Sequence, residues 1–174
     1  AGLAGSARPL LHRVQTLYAI RRGNRLGEPA PELERPGAAD LPRLAEAALG
    51  LAREDLGIPA ERMDRMALRR TAARRLERGR SFVLRVGGVL AFKIEVALAT
   101  PEAALVEGVY TFPEFRGAGL AARGTAALLA RLLELHPLVV LHVGRENRPA
   151  RSAYERAGMS RAGELGLALF EPWR

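Results

Sequence analysis

Residues 111–124 read TFPEFRGAGLAARG, and this stretch decides what kind of chain this is. An extended apolar piece over 104–112 runs into Pro113, which lacks an N–H and ends a strand ladder. Arg116-x-x-Gly119-x-Ala121 then leads straight into a run with helical apolar spacing that reaches Leu135. Glycines at such a turn let the backbone bend tightly and approach a ligand closely. The helix start adds unpaired N–H groups and a partial positive charge, which suit a phosphate or pyrophosphate. A dinucleotide fingerprint would need a third glycine, and none follows at that spacing. A Walker A loop would need Gly-Lys-Ser/Thr, yet the only lysine of the chain is Lys93. What remains is a pyrophosphate grip with an arginine in front.

Working outward, the apolar spacing predicts an α/β order around one sheet. Upstream, a helix is expected over 39–53, with Asp40 as N-cap and Pro42 in its first turn. A second is expected over 61–78, with Arg70, Arg74 and Arg78 on one face and Met63, Ala67, Ala72 and Leu76 on the buried side. The period then changes to two. Strands are expected over 81–86 and 89–96, joined at Gly87-Gly88 as a two-residue hairpin. Downstream of the turn, a helix over 117–135 places Leu128, Leu132 and Leu135 on its inner face. A nearly all-apolar strand over 138–143, a helix over 148–157 closed by Gly158, and a last strand over 162–170 complete the order.

The first thirty residues stand apart. An apolar piece over 14–20 reads as a strand, and RRGNRLGEPAP after it reads as a linker, with a seam near Pro29–Pro31 and a short extended piece over 32–35. Residues 1–30 are therefore expected to be an N-terminal segment or the remnant of a preceding domain, and 31–174 the main domain.

Composition narrows the chemistry. The chain has no cysteine, which excludes disulfides, thiolate metal sites and a cysteine acyl-enzyme, and fits a cytoplasmic protein. No stretch approaches the ~20 apolar residues of a membrane span. His12, His136 and His142 do not make a metal-ligand spacing, so no metal is expected. The net charge of +8 is almost wholly arginine. It helps any phosphate-bearing ligand and leaves a nucleic-acid or other polyanionic partner as the lesser alternative.

A second motif follows the first. Asn147-Arg-Pro-Ala150-x-x-Ala153-Tyr154-x-x-Ala-Gly158-Met159 succeeds a buried-looking strand. Taken with Arg-x-x-Gly-x-Ala, it resembles the acetyl-CoA signature of the GNAT superfamily of N-acetyltransferases, over about residues 32–170 and most closely over 104–159. Met159 stands where the family pattern has phenylalanine. Ser81-Phe82, the run Phe92 to Val96 and Glu107 to Tyr110 further resemble a branch that carries an extra segment ahead of the catalytic core. The resemblance implies a mixed, mostly antiparallel central sheet flanked by helices, with acetyl-CoA as cosubstrate and an amine as acceptor. It implies that Tyr110, Thr111 and Phe112 offer their backbone to the pantetheine arm. Behind Arg116, the turn of Gly117, Ala118, Gly119, Leu120, Ala121, Ala122 and Arg123 would hold the pyrophosphate. Asn147 would bond the pantetheine.

Acyl transfer to an amine needs a neutral amine, a stabilised oxyanion and a protonated leaving thiolate. By the same analogy a backbone N–H on the 109–111 strand serves the oxyanion, and Tyr154 protonates the thiolate. The base stays open between His142, Glu107 and Glu95, with a water chain as a further route. Glu95 is alternatively a partner of Lys93 or an arginine. Two other functional classes stay open: an acyl-CoA-binding module without turnover, and a polyanion-binding protein on the same scaffold. Acceptor identity and homodimerisation are not legible here.

Overall fold

The computed structural model describes residues 11–30, 32–57 and 63–169. Six strands form one sheet: β1 Leu11–Arg21, β2 Ser81–Val86, β3 Val89–Ala99, β4 Ala104–Thr111, β5 Leu138–Gly144 and β6 Ser160–Leu169. Four helices complete the chain: α1 Leu41–Leu56, α2 Arg65–Glu77, α3 Leu120–Leu135 and α4 Arg148–Arg156. The strand order is β2-β3-β4-β5-β1-β6, and every neighbouring pair is antiparallel except β4 with β5. This is the mixed, mostly antiparallel sheet flanked by helices that the resemblance implied.

Alternation along the strands divides the core. Phe82, Leu84, Phe92 and Ile94 pack with α3, where Leu128, Leu129, Leu132 and Leu133 are buried. Each such leucine contributes about 1.5–3 kcal/mol through burial. Val83, Leu90, Tyr110 and Phe112 pack on the other side with Leu44, Ala47 and Ala72 of α1 and α2. Leu135, expected on the inner face of α3, is 72% exposed. It is the helix's last residue, where the helix has already passed the edge of the layer.

Several boundaries differ from expectation for local reasons. Asp40 stands at the N-cap position of α1 as expected, but its carboxylate makes no cap bond to that helix; it accepts from Gly37 N and binds Arg85, whose hydrogen bond holds its pKa below the usual carboxylate value. Helix α2 starts at Arg65 because Asp64 caps it, accepting from Ala67 N at 2.8 Å. Met63 therefore precedes the helix instead of lying on its buried face, and residues 61 and 62 fall outside the described ones. Helix α3 starts at Leu120, not at 117, since Gly117 and Gly119 take left-handed φ values of 82° and 73°. Strand β6 starts two residues before the expected 162, and the final expected residue, Phe170, falls outside the described ones.

The largest difference concerns β1. It lies in the main sheet, hydrogen-bonded to β5 on one side and β6 on the other. The seam expected near Pro29–Pro31 thus does not detach this strand from the α/β layer. The connection behind it is also tied down, with Gly27 N donating to Ala157 O at 3.1 Å and Ala30 N to Arg123 O at 3.0 Å. Because β1 runs antiparallel to both neighbours, β5 and β6 run the same way, and the β5–α4–β6 crossover leaves a one-strand gap that β1 fills.

Candidate active site

The parallel β4–β5 pairing stops early. Ala104, Leu105 and Val106 pair with Val139, Val140 and Leu141, and beyond Val106 the strands separate. A wedge opens there, so among the described residues the edge of β4 from Glu107 to Thr111 has no strand partner on that side. The β3–β4 register also shifts between the Glu95–Glu107 and Lys93–Tyr110 pairs. Gly108, at φ 63°, forms the resulting bulge. Glycine is required there because a Cβ would overlap the Glu95 carboxylate and stand 3.2 Å from Lys93 Nζ.

A cavity of about 370 Å³ occupies the wedge. Ala48, Leu51, Ala52, Leu68 and Ala72 of α1 and α2 give it an apolar roof, while Glu107, Val109, His142 and Tyr154 line it from the β4, β5 and α4 sides. The three proposed catalytic side chains are thus brought to one cavity, in different states. Tyr154 is buried, with no hydrogen bond to its hydroxyl among the described residues. Burial, and secondarily the charge of Asp55, push its phenol well above the ordinary tyrosine value. Tyr18 packs edge-on against it at 6.0 Å between ring centroids. His142 is exposed although its strand was expected to be buried, because β5 alternates: Val139, Leu141 and Val143 enter the α3 core, and His142 falls on the other face, where it lines the open cavity. Glu107 is ion-paired to Arg75, which also binds Glu95.

The turn over 116–123 lies beyond Thr111, where the wedge edge of β4 ends. Among the described residues, no protein acceptor pairs with the N–H groups of 118–122. A Cβ on Gly117 or Gly119 would meet nothing within 4 Å, so the space in front of the turn is open. Free donors, a helix start and open space fit a pyrophosphate. The Arg116 side chain is directed elsewhere: it binds Glu54 of α1 and the Thr111 carbonyl. Tyr110 and Phe112 turn their rings into the α1 side of the core, and Phe112 N donates to Ala91 O of β3 at 3.0 Å. Asn147 caps α4, its Oδ1 accepting from Ala150 N at 3.2 Å, and its amide group remains beside the cavity.

Residue patterns missed part of this site. Arg13 and Gln15 of β1 and Asp55 of α1 also line the cavity, and Arg13 binds Asp55 at 3.2 Å. No sequence signal marks them, since their role depends on where β1 sits. Lys93 and Glu95 did carry a signal: two charges, two apart, on one face of an otherwise apolar strand. Both are buried and 2.9 Å apart. The arginine row of α2 lies on its outer face, where Arg70, Arg74 and Arg78 are exposed. No described helix is long and apolar enough to cross a membrane, and no described cluster of His, Asp and Glu is placed to hold a metal.

Comparison with known proteins agrees with this fold. An acetyltransferase of the GNAT family from Novosphingobium aromaticivorans superposes with a TM-score of 0.72 at 22% identity, over 97% of this chain and 68% of that one. A GNAT-family acetyltransferase from Colwellia psychrerythraea gives 0.68 at 18% identity, over 94% of this chain. The present chain spans only 58% of that protein's length. An acetyltransferase from Clostridium acetobutylicum, solved with acetyl-CoA, gives 0.56 at 17% identity, over 71% of this chain and 87% of that one. At these identities the likeness concerns the fold. No curated protein matches the sequence. The pattern of the acetyltransferase (GNAT) family matches residues 44–159, from α1 to the end of the second motif, and the chain belongs to that family.

Proposed function

We propose that this chain transfers an acetyl group from acetyl-CoA to a primary amine, by direct attack with both substrates bound. One observation carries the reading: the wedge between β4 and β5 opens onto Tyr154 within and, past the end of β4, reaches the free N–H groups of 118–122.

In this reading the N–H groups of 118–122 hold the pyrophosphate, and the open edge of β4 beyond Val106 hydrogen-bonds the pantetheine arm. The Asn147 amide bonds the same arm. Arg116, tied to Glu54, favours the phosphates through its field without touching them. Acetyl-CoA supplies an activated acetyl thioester. Backbone N–H groups from Val109 to Thr111 polarise its carbonyl oxygen, and removing one such donor typically costs about 10²–10³ in rate. The cavity roof of α1 and α2 excludes water and shapes the seat for the acceptor.

Tyr154 hydrogen-bonds the departing sulfur. Its raised pKa keeps the phenol protonated at neutral pH, so it is always a donor. Full transfer to a thiolate of ordinary pKa, ~8.5, is uphill. The phenol therefore acts as the carbon–sulfur bond breaks, when the sulfur's charge is greatest in a site shielded from water.

The test is a screen of primary amines with acetyl-CoA, read as free CoA release and as mass of the product. Acetylated amine with stoichiometric CoA supports the reading. Binding of acetyl-CoA without turnover on any amine favours a cofactor-binding module instead.

A further inference from the structure

We propose that Lys93, the only lysine in the chain, is the base that takes the proton from the acceptor ammonium. The inference rests on the acetyl-transfer reading and adds to it a residue that the motifs do not point to.

A buried ammonium is expensive unless it is paired and hydrogen-bonded. Lys93 is 1% exposed and lies on β3, with its side chain on the cavity side of the sheet. One carboxylate oxygen, Oε1 of Glu95, stands 2.9 Å from Nζ. That carboxylate is already shared. Arg75 of α2 binds its other oxygen while also binding Glu107 of β4, and Ser81 of β2 lies 3.5 Å from Oε1. Glu95 thus does not depend on Lys93 for its countercharge. With Lys93 neutral, one guanidinium and two carboxylates leave a single negative charge facing the cavity. That charge favours an incoming ammonium, and moving its proton to Lys93 balances the cluster.

Position agrees with charge. Nζ is 3.2 Å from where a Cβ on Gly108 would stand, so it adjoins the bulge next to Val109. An amine attacking a thioester held by the 109–111 backbone must pass this point. The competing groups are placed less well. His142 is exposed, with no protein partner to orient it among the described residues, and Glu107 is committed to Arg75. Toward the cofactor side, Asp55 and Arg13 pair with each other. Desolvation, the leading cause, moves Lys93 below its ordinary pKa, against the pull of Glu95.

The protons balance. The acceptor ammonium gives one proton to Lys93 Nζ, and the freed lone pair forms the carbon–nitrogen bond. The carbon–sulfur bond breaks as the Tyr154 phenol donates to sulfur. The second proton lost by nitrogen restores that phenol, and Lys93 returns its own to solvent through the cavity.

A protein grown with 15N-lysine carries one side-chain amine signal, so its titration needs no assignment. The expected midpoint lies below the ordinary ~10.4; a midpoint at or above that value overturns the proposal. In turnover of an alkylamine accepted by the native chain, Lys93→Met and Lys93→Arg should each lower kcat by about 10²-fold or more. Acetyl-CoA affinity should change less than about threefold. Arginine keeps the pair with Glu95 but cannot give up its proton, so recovery of activity in Lys93→Arg would make Lys93 structural and overturn the base role. Should Lys93→Met fail to fold, the arginine variant and the native titration decide between them. Acetyl-CoA binding without turnover on any amine contradicts the transfer reading, whereas turnover with an unshifted Lys93 contradicts this one.

Discussion

The Arg116 guanidinium donates to both oxygens of the Glu54 carboxylate, at 2.9 and 2.7 Å, which ties the end of α1 to the turn expected to hold pyrophosphate. Tyr110 adds a third hydrogen bond to Glu54, at 3.2 Å. The next residue, Asp55, binds Arg13 of β1. Two consecutive carboxylates therefore fasten α1 to β4 and its turn on one side and to β1, beyond β5, on the other.

Glu54→Gln should tighten acetyl-CoA binding by roughly threefold or more at low salt. It removes a negative charge beside an anion site and frees Arg116. The gain should fade toward physiological ionic strength, since both side chains are partly exposed. Fold stability should change by less than about 1 kcal/mol. Titration calorimetry at two salt concentrations checks this; weaker binding at low salt would mean that Glu54 positions the turn.

Gly119→Glu should abolish acetyl-CoA binding and leave the fold largely in place. The space before Gly119 is open, so the new side chain clashes with no protein atom, but it occupies the anion site with like charge. Its φ of 73° adds a backbone cost of about 1–2 kcal/mol. A melting temperature lowered by only a few degrees, with no further rise on adding CoA, is the expected result.

Gly108→Ala should be more damaging to stability. Here the added carbon overlaps the Glu95 carboxylate and crowds Lys93 Nζ, in a backbone conformation that L-residues rarely adopt. A loss of roughly 2–4 kcal/mol by denaturant unfolding is expected, as for a disturbed buried ion pair. A near-neutral effect would mean that the bulge relaxes freely.

Much of this was legible beforehand. The period-two runs over 81–96, the glycine-bearing turn and the second motif are local signals, and the hairpin Gly87-Gly88 falls where expected, with both φ values positive. Placement of β1 was not legible, because insertion between β5 and β6 is a long-range pairing with no local signature. Arg13, Gln15 and Asp55 were missed for the same reason. The Arg116 side chain was misjudged because a motif fixes the backbone path, while its long side chain answers to Glu54, sixty-two residues away.

Tyr154→Phe should lower kcat by roughly 10²–10⁴-fold while acetyl-CoA affinity barely changes, since the hydroxyl matters chiefly as charge develops on sulfur. The raised phenol pKa gives the sign of its pH dependence. The acid form is the active one, and it persists beyond the ordinary tyrosine value of ~10. No loss of rate from Tyr154 ionisation should therefore occur between pH 6 and about 9.5. His142→Gln should change kcat less than about threefold, in keeping with an exposed, unanchored ring. A neutral-pH limb that vanishes in His142→Gln would instead make the histidine the base.

The central claim, that the β4–β5 wedge and the turn after it are an acetyl-CoA site, is tested most directly by calorimetric titration of the whole chain with acetyl-CoA in the presence of a chelator. The account predicts one site per chain with a Kd between roughly 1 µM and 1 mM, the range usual for enzyme substrates, unaffected by the chelator. No heat of binding at millimolar acetyl-CoA, from a protein shown to be folded, would contradict it.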